Sequence, residues 1–242
     1  NFRRFNKYCK ILDVNEKQGF DYLEILKSRS DENLNQRIES ILIDDDIGNP
    51  IKYKYDWFSF PLSPVTLRYL KVASDLYFLF GPTHNKVAEI GCGYGGQALI
   101  NDQLLNINSA TLFDLPCSNQ LIEKYLNCHL LNGSFSTKNL NQAAKEDYDL
   151  IISNYAFSEL PKLLQLKYIE KVLSNSKRGY LTMNSGNGGA RSKGKLSLSE
   201  MRKLLPKFNV IEENPLTSKY NYIIIWGANS DNLKNLFQIK SL

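Results

Sequence analysis

Apolar positions change their spacing near residue 86. Before it they follow a helical period. Leu34, Ile38, Ile41 and Leu42 fall on one helix face. Asp44-Asp45-Asp46 and Gly48-Asn49-Pro50 predict a solvated turn that ends this helix. Ser63-Pro64 then supplies an N-cap and a proline at the first helical position. The helix that follows is expected to reach Phe80, where Gly81-Pro82 breaks it. Its polar stripe, Arg68, Lys71 and Asp75, leaves Leu70, Val72, Ala73, Leu76 and Leu79 to pack.

From residue 86 short apolar strands alternate with helices. The strands are expected at Lys86–Ile90, Ala110–Phe113, Cys128–Leu131, Tyr148–Ser153 and Gly179–Met183. Helices are expected at Gly96–Leu105, at Ser118–Leu126 behind a serine cap, and at Pro161–Leu173. Ser197 and Glu200 form a capping box for a helix ending near Leu205. Asn209–Glu212 and Tyr220–Trp226 read as a closing pair of strands. Tyr148–Ser153 is almost wholly apolar, as a central parallel strand is. Such alternation predicts an α/β fold, a mostly parallel sheet with helices on both faces. Residues 1–82 read as an N-terminal helical cap and 83–242 as the catalytic domain.

Composition narrows the class. The chain has 242 residues, 43% hydrophobic and 23% charged, which is ordinary for a globular protein. A net charge of +5 falls short of the dense basic loading of a nucleic-acid binder and suits an anionic small molecule. Cys9, Cys92, Cys117 and Cys128 form no Cys-x-x-Cys pair and no zinc spacing. Free thiols, with no apolar run long enough to span a bilayer, make the cytoplasm the expected location. His84 and His129, the two histidines, read as structural, and no metal is expected.

The segment richest in chemistry is Val87-Ala88-Glu89-Ile90-Gly91-Cys92-Gly93-Tyr94-Gly95-Gly96. A buried strand runs into a glycine turn and then a helix, whose free N–H groups face electron-rich atoms. Gly91, Gly93 and Gly96 satisfy the dinucleotide fingerprint. Glu89, Gly91, Gly93 and Gly95 equally satisfy E-x-G-x-G-x-G, which resembles motif I of class I methyltransferases. The second reading is favoured. Glu89 ends its strand, where a carboxylate can hold the methionine ammonium of S-adenosylmethionine (SAM). The long helical region ahead of the loop, and the lack of a second catalytic domain after the sheet, point the same way. Asp114, with Leu115 beside it, ends the second strand; it either accepts the ribose hydroxyls or caps the helix after Pro116. In the turn after the third strand, Ser134 is expected on the adenine edge and Phe135 on the adenine ring.

A narrower resemblance follows. Glu-Ile-Gly-x-Gly-Tyr-Gly-Gly, Phe113-Asp114-Leu115-Pro116, Ser153-Asn154-Tyr155-Ala156-Phe157-Ser158-Glu159-Leu160 and Ser63 to Leu70 resemble the sugar O-methyltransferase family of bacterial surface-glycan loci. The resemblance covers residues 55–190. It implies a class I, Rossmann-like sheet of seven strands, SAM as cofactor and S-adenosylhomocysteine as product. It also implies an acceptor hydroxyl on a sugar.

In open α/β sheets ligands sit outside the carboxyl ends of the strands, so Asn154 to Glu159 are expected where methyl and acceptor meet. Glu159 is the expected general base, with Tyr155 and Ser158 positioning the acceptor; the alternative for Glu159 is a helix-dipole charge. Asn184 opens a glycine-rich loop whose Arg191, Lys193 and Lys195 either meet a phosphate or are solvated. The expected partner is thus a small anionic sugar derivative, with a homodimer as the oligomeric option. A nicotinamide-dependent oxidoreductase and a non-catalytic SAM-binding module are the competing classes.

Overall fold

The computed structural model describes residues 1–12, 14–29, 31–41, 45–184 and 194–237. Its first described helices are α1 (Asn6–Leu12), α2 (Glu16–Ser28), α3 (Glu32–Ser40) and α4 (Pro64–Phe80). A capping box opens α2: the Asn15 side chain accepts the Gln18 amide at 2.9 Å, and the Gln18 side chain accepts the Asn15 amide at 3.1 Å. Asp31 caps α3 through the Leu34 amide at 2.8 Å. Ile41 lies just past the end of α3 yet is buried. Leu42 and Asp44, expected on that helix face and in its closing turn, lie outside the described residues.

Three expectations about this region are corrected. Asp45 is not solvated. It is buried, pairs with Arg3 at 2.8 Å, and accepts the Ser63 amide at 2.6 Å and the Thr66 hydroxyl at 2.9 Å. Ser63 occupies the N-cap of α4, but its hydroxyl serves this cluster and makes no cap bond. The stripe on α4 is likewise interior: Lys71 and Asp75 are buried. Asp75 accepts Arg29 at 2.5 Å, Lys71 at 2.7 Å and the Tyr180 hydroxyl at 2.5 Å. The physical reason is that α4 is packed on several sides, by α2 and by the sheet, so its polar residues are matched to partners and not to water.

The sheet elements are β1 (Thr83–Ile90), β2 (Asn106–Phe113), β3 (Ser134–Lys138), β4 (Tyr148–Asn154), β5 (Ser176–Met183), β6 (Asn209–Glu212) and β7 (Tyr222–Trp226). Between and after them run α5 (Gly96–Leu104), α6 (Pro116–Leu126), α7 (Ala156–Glu159), α8 (Lys162–Lys171), α9 (Leu198–Leu204) and α10 (Ser230–Phe237). The seven strands lie in the order β3-β2-β1-β4-β5-β7-β6. The first five in that order are parallel, β7 is antiparallel to β5, and β6 is antiparallel to β7. This is the seven-stranded, mostly parallel Rossmann-like sheet expected of a class I methyltransferase fold. Leu150 and Ile152 face a core that includes α4, and Ile151 faces the opposite core with Phe157 and Ile169.

The third strand lies later in the chain than its apolar pattern predicts. Cys128–Leu131 closes α6 as a turn, with Leu130 92% exposed, and β3 begins at Ser134. The cause is that β3 is an edge strand. Its sequence, Ser-Phe-Ser-Thr-Lys, carries no apolar run because one edge and much of its surface meet water. Smaller differences share a cause. β1, β2 and β5 start three or four residues earlier than their apolar stretches, at polar positions that strand pairing and not apolarity brings into the sheet. α6 opens at Pro116 with Leu115 at its N-cap, so Ser118 is not the cap. The α9 capping box is present as expected. No helix of the described residues is long and apolar enough to cross a membrane.

Candidate functional site

Glycine at position 91 is required twice over. Its φ is +76°, and a Cβ there would stand 2.0 Å from the Ala156 Cβ. The glycine turn therefore packs directly on the start of α7, drawing the carboxyl ends of β1 and β4 together. Gly93 and Gly95 also have positive φ, and Gly95 opens α5 in the left-handed conformation. Cys92 and Tyr94, between the glycines, point inward and are buried. Tyr94 meets Tyr125 edge-on at 4.7 Å, and the Arg3 guanidinium lies 5.0 Å over its ring. The N-terminal segment thus anchors the turn from behind.

Two carboxylates define the floor. Register pairs Ile90 with Phe113, so Glu89 and Asp114 stand at neighbouring strand ends. Asp114 accepts the amides of Cys92 at 2.8 Å, Gly93 at 3.2 Å and Leu115 at 2.7 Å. It fastens the glycine turn, a role absent from both sequence alternatives, while remaining partly exposed beside the exposed Leu115. Glu89 is 3% exposed, and burial, with Asp114 nearby, pushes its carboxyl up to about 8. Among the described residues no cation pairs with it.

Ser134 and Phe135 are not at this end of the sheet. Ser134 pairs with Ser109 and bonds the Asn108 carbonyl at 3.2 Å, at the amino edge of β3. Lys138, opposite Phe113, marks the carboxyl end. The residues that flank the floor there are Lys138 and Asn139; Asn139 caps the turn Leu140–Gln142. The misplaced third strand produced this error, and a weak polar β signal after Gly133 was the only sequence cue.

Beyond β4 the backbone is strained. Tyr155 has φ +67° and ψ −33°, costly for a side chain larger than glycine. Its amide bonds the Thr182 carbonyl at 2.8 Å, and its hydroxyl donates to the buried Glu213. Glu213 also accepts the Thr217 amide at 3.0 Å, the Thr217 hydroxyl at 2.6 Å and Asn221 at 3.1 Å. Asn154 donates to Gln97 at 3.2 Å, and Gln97 donates to the Tyr69 carbonyl at 3.1 Å. Ser158 is buried, donates to the Tyr155 carbonyl at 2.5 Å and accepts the Asn184 amide at 3.0 Å, so it ties α7 to the end of β5. Glu159 is exposed and accepts the Asn184 side chain at 2.8 Å.

A cavity of about 230 Å³ opens on this surface, and its walls include Tyr22, Arg68, Tyr155, Glu159, Asn184 and Thr217. The structure therefore gathers Tyr155, Glu159 and Asn184, and adds Tyr22, Arg68 and Thr217, which sequence reading did not assign. Arg191 and Lys193 lie outside the described residues. His84 is buried in β1 near the Gly81 carbonyl, its ring pushed down to about 4 by burial and Arg178, in keeping with a structural role. His129 lies in the turn after α6 and not within a strand.

No protein-family model and no curated protein matches the chain. Solved structures do match in part. Human N-acetylserotonin methyltransferase in complex with SAM aligns at 11% identity and TM-score 0.48, over 69% of this chain and 54% of that one. An N-methyltransferase of Bradyrhizobium japonicum aligns at 12% identity and TM-score 0.48, over 65% and 91%. A candidate sarcosine dimethylglycine methyltransferase of Galdieria sulphuraria aligns at 18% identity and TM-score 0.46, over 60% and 65%. The chain thus matches less than two thirds of the length of the human and Galdieria proteins.

Proposed function

We propose that this chain is a SAM-dependent methyltransferase acting on a hydroxyl of a small, anionic, sugar-related acceptor. The observation that carries the reading is Glu89. A carboxyl buried without a cation is costly to ionise, and Glu89 lies at the carboxyl end of β1 beside a glycine turn. A ligand ammonium supplies the missing charge, which suits the methionine end of SAM better than a dinucleotide pyrophosphate. Asp114, at the neighbouring strand end, is the group for the ribose hydroxyls, and Leu115 lies exposed beside it. Gly91, Gly93 and Gly95 keep the turn free of side chains there, and Lys138 and Asn139 border the nucleoside side.

Bound SAM supplies a methyl group activated by sulfonium charge. The chain's own task is alignment, exclusion of water and removal of the hydroxyl proton. Alignment of two reactants is worth ~7–11 kcal/mol of barrier. Tyr155, held by Glu213, gives the cavity a fixed wall at the end of β4, and Asn154 next to it is held by Gln97. Glu159 is the candidate base: it lines the cavity, and Asn184 fixes its orientation. The acceptor proton moves to a Glu159 oxygen as the hydroxyl attacks, a step worth ~10²–10⁴-fold.

The anionic, sugar-related character of the acceptor rests on the motif resemblance and on the cations Arg191, Lys193 and Lys195 in the sequence. The N-terminal helices are proposed as the cap on the acceptor side. Calorimetry with S-adenosylhomocysteine and with NADH separates the methyltransferase from the oxidoreductase: binding of the first alone is expected, and binding of NADH alone refutes the reading. Mass-spectrometric detection of methyl transfer to a panel of phosphorylated and nucleotide-linked sugars then tests the acceptor.

A further inference from the structure

Three arginines pack inward around α4, Arg3 buried and Arg29 and Arg68 half-buried, and two of the three are matched by a carboxylate. Arg3 pairs with Asp45 at 2.8 Å and with Ser63 at 2.6 Å. Arg29 pairs with Asp75 at 2.5 Å and donates to Ser74. Arg68, on the same helix as Asp75, has no carboxylate within ion-pair distance among the described residues. Its Nε is buried and has no hydrogen-bond partner. Its neighbours are phenols: the Tyr69 side chain is its hydrogen-bond partner, its guanidinium lies 5.3 Å from the Tyr69 ring centre and 5.8 Å from that of Tyr155, and Tyr22 is also close.

The charged groups around it are otherwise occupied. Glu213 accepts Tyr155, Thr217 and Asn221, and Glu159 accepts Asn184. Arg68 is always protonated, so burial cannot be relieved by losing the proton. A half-buried guanidinium with an unbonded Nε and no carboxylate at hand is a ready partner for an anion entering the cavity. It lines the cavity of about 230 Å³ with Tyr22, Tyr155, Glu159 and Asn184. The glycine turn and Glu89 do not line that cavity, so the anion it awaits is not on the cofactor side.

We propose that Arg68 is the anion-recognition residue of this cavity, holding a carboxylate or phosphate of the acceptor molecule. The inference rests on the methyltransferase reading only in naming that molecule the acceptor. The forked guanidinium suits either oxyanion, and the phenols of Tyr22 and Tyr155 supply further polar contacts around it.

The test compares wild type with Arg68→Met, which keeps length and removes charge. Thermal melting is followed in chloride, then with inorganic phosphate or acetate replacing chloride at constant ionic strength. S-adenosylhomocysteine affinity is measured on both proteins. Without added oxyanion, Arg68→Met is expected to melt at or above the wild-type temperature, since it removes a half-buried charge that no carboxylate matches; Arg3→Met, which breaks a matched pair, melts lower. Phosphate or acetate raises the melting temperature of wild type but not of Arg68→Met, with affinity for the anion lowered roughly tenfold or more. S-adenosylhomocysteine affinity is unchanged. Four results each overturn the proposal: Arg68→Met melting well below wild type, no oxyanion response in wild type, an equal response in both proteins, or a loss of S-adenosylhomocysteine affinity in the variant. Failure of the wild type to bind S-adenosylhomocysteine refutes the methyltransferase reading instead and leaves the oxyanion comparison intact.

Discussion

The Asp114 carboxylate accepts the backbone amide of Cys92 at 2.8 Å, joining the end of β2 to the glycine turn that follows its neighbour β1. The same side chain is the proposed ribose acceptor, so one carboxylate both shapes the turn and faces the ligand. Asp114→Ala is expected to weaken S-adenosylhomocysteine binding by about 1–3 kcal/mol, for lost charge-assisted hydrogen bonds. Asp114→Asn, which retains one acceptor oxygen, is expected to fall between. Calorimetry of both variants checks the order; equal binding by Asp114→Ala and wild type removes Asp114 from the ligand site.

Glu89 predicts a pH dependence. Its carboxyl is raised to about 8 in the ligand-free protein, so at neutral pH it is largely protonated. A ligand ammonium favours the ionised form. Binding therefore releases a proton, and affinity rises with pH up to about 8, then levels. Calorimetry at neutral pH in buffers of different ionisation heat should detect the release, and Glu89→Gln should abolish it. The stability effect has the opposite sign. Because the folded carboxyl is raised above its unfolded value, the ligand-free protein loses stability as pH climbs through the window between them. Glu89→Gln should flatten that loss.

Glu159 is tested by turnover. Glu159→Gln is expected to leave S-adenosylhomocysteine affinity nearly unchanged and to cut kcat ~10²-fold or more. Near wild-type turnover would move the proton to another group, and Tyr155→Phe is the next variant, since its hydroxyl is already held by Glu213.

Asp75 is a stability prediction away from the site. Burial raises its carboxyl, but Lys71, Arg29 and Tyr180 outweigh burial and hold it below the usual carboxylate range. Its contribution is therefore present above that range and lost as pH falls through it. Asp75→Ala leaves Lys71 and Arg29 buried without their anion and is expected to cost about 3–5 kcal/mol in urea unfolding. Lys71, whose amine burial pushes down, is the group expected to lose its proton in that variant.

The sequence by itself determined the alternating α/β layout, the central strands, the glycine turn and the acids at the ends of β1 and β2. These are legible because buried parallel strands are continuous apolar runs, and because turns with positive φ call for glycine at 91, 93 and 95. Capping chemistry is equally local, and Ser197 with Glu200 marks α9 unaided. Tertiary structure alone decided the rest. The edge strand β3 is held by pairing with β2, not by its own apolarity, so its position, and with it the fate of Ser134 and Phe135, was invisible in the pattern. The Arg68, Lys71 and Asp75 stripe looks solvated on any helical wheel; only the packing of α2 and the sheet around α4 buries Lys71 and Asp75 and half-buries Arg68, and only there does Asp75 find two cations while Arg68 finds no carboxylate. Helical period reports which residues share a face, but partners distant in the chain decide whether that face meets water, a matching charge or a ligand.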